Sequence, residues 1–193
     1  METRNPKPEI PNSNIYLTGF MGSGKSTVGP LVGARLGRRF LDLDDLIAER
    51  AGRAIPAIFE AEGEAGFRRR EADALRAVSR EDGRAVVATG GGTLVHEENL
   101  ERARASGTVV YLHAPAAVLA ERLRDTAAER PLLQSEGGRP LAGAALARRI
   151  ETLLAERRPF YQHAHVTIDT AEAPPEATAE AVIDALRERR NEE

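Results

Sequence analysis

Residues 19–26 read GFMGSGKS, which fits the pattern G-x-x-x-x-G-K-[ST] with Gly19, Gly24, Lys25 and Ser26. Those residue types at that spacing suit one task, holding the phosphates of a nucleotide. Glycines let the backbone wrap a phosphate with its N–H groups turned inward. A helix starting there adds its positive end. The Ser26 hydroxyl falls where Mg²⁺ sits between β- and γ-phosphates. The lysine is informative in itself. Of the 27 Lys plus Arg in the chain, only Lys7 and Lys25 are lysines, and Lys7 lies in a leader rich in Pro and Asn. A compact, mobile ammonium can follow phosphate oxygens where a larger, planar guanidinium cannot. Further on, FLDLD places Asp42 and Asp44 two residues apart. On an extended chain that spacing puts both carboxylates on one face. One could hold the water shell of a metal while the other faces an acceptor hydroxyl. The competing reading is a helix cap, since DLDDL also opens a helical stretch. Asp45 is the expected occupant of that cap role.

Elements must position these groups, and the chain alternates between two periods. Residues 14–18 (NIYLT) form a short apolar run that reads as a buried strand. A helix over 25–37 follows, with apolar residues at helical spacing, Gly37 as its stop and Pro30 placed early. A second strand is expected at 38–44 and helices at 45–52 and 64–81, with Gly52 and Gly83 as terminators. RAVVATGGG (84–92) reads as a third strand running into a glycine turn. A helix over 96–105, a strand over 107–114 and a helix over 115–124 follow. Residues 125–140 (DTAAERPLLQSEGGRP) carry Pro and Gly with little periodicity and read as a mobile surface segment. A helix over 141–158, a strand over 165–169 and a last helix over 176–190 complete the chain. Strands alternating with helices imply an α/β fold with a parallel sheet covered on both faces. Such sheets bind ligands at the carboxyl ends of their strands, and the residues of interest follow strands.

Composition bounds the function. The 193 residues suit one domain. A net charge of −3 argues against a nucleic-acid binder. Most arginines, including the RRR run at 68–70 with its surrounding glutamates, read as a solvated mixed-charge helix face. With no cysteine there is neither a disulfide nor a thiolate metal site. No run is apolar enough to span a membrane, and residues 1–13 lack a signal-peptide core. They read as a disordered leader, and a cytoplasmic location is the default expectation. The four histidines show no metal spacing; His163 and His165 read as a strand edge.

Among nucleotide machines, a switch GTPase needs an N-K-x-D segment, which two lysines at 7 and 25 do not supply. A mechanical ATPase usually ends an apolar strand in Asp-Glu, which VVATG and VVYLHA do not. The segments GFMGSGKSTVG, FLDLD, IFEAEGEAGFRRRE, ATGGG, ERPLL and AERRPFY stand in the order and rough spacing of shikimate kinase, so the chain resembles that family over about residues 14–170.

The resemblance implies a P-loop NTPase-type three-layer sandwich with a five-stranded parallel sheet, helices on both faces and a mobile lid. It implies a single kinase domain over 14–190, with a substrate-binding segment at about 44–72 and the lid at about 125–140. The implied reaction moves the γ-phosphoryl group of ATP to the 3-hydroxyl of shikimate, in aromatic amino-acid biosynthesis, with Mg²⁺ as cofactor. Gly22, Ser23, Gly24, Lys25, Ser26 and Thr27 would hold the phosphates, with Lys25 on the transferring group. Ser26 would ligate the metal and Asp42 would reach it through water. Asp44 would bind acceptor hydroxyls and orient the nucleophile. Arg68 and Arg157 would clamp the carboxylate, although Arg157 and Arg158 are interchangeable on the sequence. Gly90, Gly91 and Gly92 would line the acceptor, with Gly91 offering its N–H. Arg130 would reach the phosphates on lid closure. A monomer binding ATP and shikimate, without nucleic acid or membrane, is expected.

The chain departs from the family where many members carry an Arg after the last strand, near adenine. IDTAEAPPE has none, and Arg124 is the candidate to stack on the base instead. Two alternatives stay open, a kinase of another small hydroxy-acid such as gluconate and a non-catalytic nucleotide-binding relative.

Overall fold

The computed structural model describes residues 10, 12–81, 84–135 and 137–190. Five strands pair in parallel: β1 (Asn14–Thr18), β2 (Phe40–Asp42), β3 (Val86–Ala88), β4 (Gly107–His113) and β5 (Val166–Asp169), in the order β2-β3-β1-β4-β5. The central strand pairs Ile15 with Val86 on one side and with Thr108 on the other. The chain thus leaves β1 at the point where its connections diverge to opposite sides of the sheet, and the GFMGSGKS loop occupies that exit. A crevice outside the strand carboxyl ends is the expected consequence.

Helices α1 (Lys25–Leu36), α2 (Leu43–Ala51), α3 (Ile55–Arg80), α4 (Glu97–Ser106), α5 (Ala116–Leu123), α6 (Gly143–Tyr161) and α7 (Pro175–Arg190) cover both faces. Alternation along β1 decides which. Ile15 and Leu17 turn toward α1 and α7, where they meet Val28, Val32, Val182 and Leu186. Tyr16 turns the other way, into a core with Leu43, Ile47, Leu75 and Val78 of α2 and α3. Tyr111 of β4 leads into a third cluster with Phe20, Leu119, Leu153 and Tyr161. Close packing of α1 needs its glycines, since a Cβ on Gly29 would stand 2.2 Å from the Phe40 ring.

Several boundaries differ from the sequence reading for physical reasons. The second strand stops at Asp42, and α2 begins at Leu43. Asp42 is therefore the N-cap, its side chain accepting from the Asp44 N–H at 3.0 Å, so it and not Asp45 fills the cap role. Asp44 lies in the first helical turn, and the strand-period argument for a shared face does not hold. Pro30 is the sixth residue of α1 rather than a first-turn residue, so the Ser26 carbonyl loses its helical partner. The helix expected from residue 64 begins at Ile55, and Gly63, at φ 65°, kinks it. Residues 125–140 hold two short 3₁₀ turns, Ala127–Glu129 and Pro131–Leu133. Ala127 and Leu133 are fully buried in the third cluster, so the segment has an apolar anchor that its composition did not suggest. Gly83, the expected terminator, and most of the leader lie outside the described residues.

Candidate functional site

Six segments of the chain converge on a cavity of about 390 Å³ at the carboxyl end of the sheet, a size suited to a small ligand. The loop after β1 forms its floor. Gly22 and Gly24 take φ of 79° and 97°, which a side chain rarely tolerates. Lys25 opens α1 and turns back into the loop. Its Nζ donates to the Gly19 carbonyl at 2.8 Å, the Phe20 carbonyl at 3.0 Å and the Ser23 hydroxyl at 3.5 Å. Three acceptors around one nitrogen fit an ammonium and not a planar fork. Burial lowers the Lys25 pKa to about 8, with Asp44 and Asp42 opposing the shift and Arg130 and Arg157 adding to it. Lys25 is a cation at neutral pH that sheds its charge in mild base.

Ser26 donates to Asp42 at 2.6 Å. Asp42 thus does two jobs, capping α2 with one oxygen and binding the loop hydroxyl with the other. Asp44 stands behind it, with Oδ1 buried and without a hydrogen bond. Burial raises its pKa to about 6, helped by Asp42 and Glu71 and opposed by Lys25. Among the described residues only three buried side-chain polar atoms lack a partner, Thr18 Oγ1, Asp44 Oδ1 and Arg130 Nε. Two of the three belong to residues lining the cavity. A buried polar atom costs free energy unless it is paired, so Asp44 and Arg130 keep unused hydrogen-bonding capacity beside the cavity.

Opposite the loop, the GGG turn after β3 separates two arginines. Arg68 of α3 donates to Glu71 at 2.5 Å and to Glu64 at 3.0 Å. Glu71 is only 1% exposed and also accepts from the Thr93 hydroxyl at 2.7 Å. Arg157 of α6 donates to the Gly91 carbonyl at 3.1 Å and lies 5.3 Å over the Phe20 ring. The glycines are needed for these approaches. A Cβ on Gly92 would lie 2.5 Å from Arg68 Nη1, and one on Gly90 would lie 2.9 Å from Asp44 Oδ1. The space beside them is therefore taken first by protein side chains.

The fold gathers Gly22, Gly24, Lys25, Ser26, Thr27, Asp42, Asp44, Arg68, Gly90, Gly91, Gly92, Arg130 and Arg157 around one cavity. Ser23 joins through its contact with Lys25. Of the two adjacent arginines, Arg157 is 6% exposed and lines the cavity, while Arg158 is exposed. Arg69 is exposed and Arg70 pairs with Glu62. Arg124 is not brought in; it is exposed and pairs with Glu121 and Asp125. The arginine at that end of the loop is Arg122, which sequence reasoning missed. It donates to the carbonyls of Gly22, Thr170 and Ala171, tying the phosphate loop to the segment after β5. Nothing in its spacing marked it. Glu71 and Thr93 were also missed as partners, although Glu71 ends the quoted FRRRE. His165 docks on β4, its N–H reaching the Val109 carbonyl.

Asp42 and Ser26 suit a hard divalent cation that keeps most of its water and takes further oxygens from phosphate. No cluster of three or more His, Cys, Asp or Glu able to hold a metal occurs among the described residues, and a phosphate-bound ion does not need one. No helix among them is long and apolar enough to cross a membrane.

Comparison with known proteins bears on the family. The shikimate kinase family model matches residues 21–187. A shikimate kinase of Salinibacter ruber is 48% identical over 172 residues, covering 89% of this chain and 83% of that protein. One from Synechococcus sp. is 44% identical over 180 residues, covering 93% and 89%. Among solved structures, shikimate kinase from Acinetobacter baumannii in complex with shikimate superposes with a TM-score of 0.81 at 38% identity, covering 92% of this chain and 94% of that one. A gluconokinase from Sinorhizobium meliloti gives 0.60 at 18% identity, covering 92% and 93%, and shows a shared fold alone.

Proposed function

The chain belongs to the shikimate kinase family, and from that premise we propose that it transfers the γ-phosphoryl group of ATP to the 3-hydroxyl of shikimate. The observation that carries this reading is the pair of unpartnered buried atoms, Asp44 Oδ1 and Arg130 Nε, on the cavity that also holds Lys25. A carboxylate acceptor suits a hydroxyl nucleophile, and a guanidinium donor suits phosphoryl oxygens.

In the proposed step the 3-hydroxyl oxygen attacks the γ-phosphorus while its proton passes to ionised Asp44. The bond from γ-phosphorus to the bridging oxygen breaks, and ADP leaves with that electron pair. The products are the phosphate ester and ADP, and Asp44 returns its proton to solvent. A carboxylate with a pKa of about 6 is mostly ionised at neutral pH yet basic enough to accept a proton. Lys25 follows the charge on the moving group, and Arg130 adds a cation in cis. Positioning and electrostatics supply most of the acceleration in a loose phosphoryl-transfer transition state. Ser26 and Asp42 would hold Mg²⁺, which would supply charge neutralisation at the phosphates. Gly22 to Thr27 cradle the phosphates.

At the acceptor's other end, Arg68 and Arg157 flank the glycine turn and present guanidinium groups to the carboxylate. Between the ends, Phe59 and Phe67, whose ring centroids lie 4.5 Å apart, wall the cavity beside the acceptor ring. Arg130 lies in the lid segment ahead of the Leu133 anchor and already lines the cavity, so a lid closed over both substrates keeps the arginine at the phosphates and excludes water. The reading carries with it a monomeric, cytoplasmic enzyme that takes ATP and shikimate as a single kinase domain.

A coupled assay of ADP release tests the proposal. Shikimate is expected to stimulate release at least about tenfold over gluconate. Release with shikimate at the gluconate or blank rate would contradict it.

A further inference from the structure

We infer that Tyr161 is a positioning residue for the acceptor's carboxylate: its hydroxyl and Arg157 together hold the Gly91 carbonyl, and this three-way contact fixes where the Arg157 guanidinium stands. The inference rests on the reading of the cavity as a shikimate site.

Tyr161 ends α6, one turn beyond Arg157, so the two side chains leave the same helix face. Its ring is 1% exposed and stacks on Tyr111 of β4, with centroids 4.9 Å apart at 23°. The hydroxyl donates to the Gly91 carbonyl at 2.6 Å, and Arg157 Nη1 donates to the same oxygen at 3.1 Å. A carbonyl oxygen has two lone pairs, so the two donors fill it. Burial pushes the phenol up to about 12, which keeps it a donor at any working pH.

Two consequences follow. The 91–92 peptide cannot rotate without breaking a short buried hydrogen bond, so the Gly92 N–H, which points opposite to that carbonyl in a trans peptide, is held as well. And Arg157 spends one nitrogen on the carbonyl and also meets the Tyr161 hydroxyl, while its fork stays over the Phe20 ring beside the cavity. With the phenol gone, the vacated lone pair would draw the guanidinium toward Gly91 and away from the acceptor. A tyrosine that only filled the core would act through its ring, and the Tyr111 stack survives replacement by phenylalanine.

The test is Tyr161→Phe in steady-state kinetics beside wild type. The expected result is a shikimate KM raised about fivefold to tenfold, near the loss of one neutral hydrogen bond, with kcat and the ATP KM within about twofold. With the methyl ester of shikimate as acceptor, which lacks the anion that Arg157 meets, the penalty is expected to shrink below about twofold. A shikimate KM within twofold of wild type overturns the inference, as does a fall in kcat with KM unchanged. An equal penalty on acid and ester overturns the route through Arg157. Absence of shikimate turnover by wild type would overturn the acceptor assignment itself, a different outcome from wild-type turnover with an unaffected variant.

Discussion

Lys25 shows at the residue scale why an arginine-rich chain keeps one lysine on the floor of its cavity. Its nitrogen is ringed by the Gly19 and Phe20 carbonyls and the Ser23 hydroxyl, an arrangement that suits an ammonium rather than a guanidinium plane. Lys25→Arg is expected to lower kcat by about a hundredfold or more despite conserving charge, measured by ADP release at saturating substrates. The same residue sets one limb of a pH profile. The kcat/KM for shikimate is expected to rise as Asp44 ionises through pH about 6 and to fall as Lys25 loses its proton through about 8. A profile flat from pH 5 to 9 would separate both groups from the chemistry.

At the scale of elements, the glycine turn after β3 is where α3 and α6 meet the sheet. A side chain on Gly92 strikes the flexible end of Arg68, whereas one on Gly90 strikes Glu71, Asp44 and Thr93 together. Gly92→Ala is therefore expected to raise the shikimate KM several-fold, about 1 kcal/mol of binding, with kcat nearly kept. Gly90→Ala is expected to lower kcat by about tenfold or more, because it displaces the acidic group. Kinetics of the two variants side by side check the contrast. Much of this was legible in the sequence, since glycine and apolar periodicity located all five strands and the phosphate loop. Asp44 was found for a reason that fails, as the strand ends at Asp42 and the pair is arranged by a helix cap. The anchor at Leu133 was missed because one buried leucine among Pro and Gly carries no periodicity. Arg122 and Tyr161 were missed because their partners are backbone carbonyls or residues far along the chain, and contacts of that kind leave no mark in local spacing; Glu71 stands one helical turn from Arg68 and reads with its neighbours as part of a solvated helix face.

For the whole molecule, the site is assembled at a cost in stability. The raised pKa of Asp44 means that the folded state disfavours its charge. Below about pH 4 the group is protonated folded or unfolded and costs nothing. As pH rises from about 4 to 6 the unfolded chain ionises first, so stability is lost through that window and the loss is complete above it. Asp44→Asn is therefore expected to abolish turnover, leave ATP affinity within about twofold, and melt higher than wild type by a margin that grows from pH 4 to 6.5. Thermal melts of both proteins across that range check it, and a margin independent of pH would contradict the sign. The variant also separates an enzyme from a nucleotide-binding relative that has lost its chemistry, since only in the enzyme does Asp44 control turnover.

The proton and phosphorus NMR spectrum of the product formed from ATP, Mg²⁺ and shikimate bears most directly on the whole reading. One phosphate ester coupled to the proton on carbon 3 of shikimate, formed in step with ADP, is the expected result. Phosphorylation at another hydroxyl, or ADP appearing with inorganic phosphate and no ester, would contradict the placement of the acceptor between Asp44 and the paired arginines.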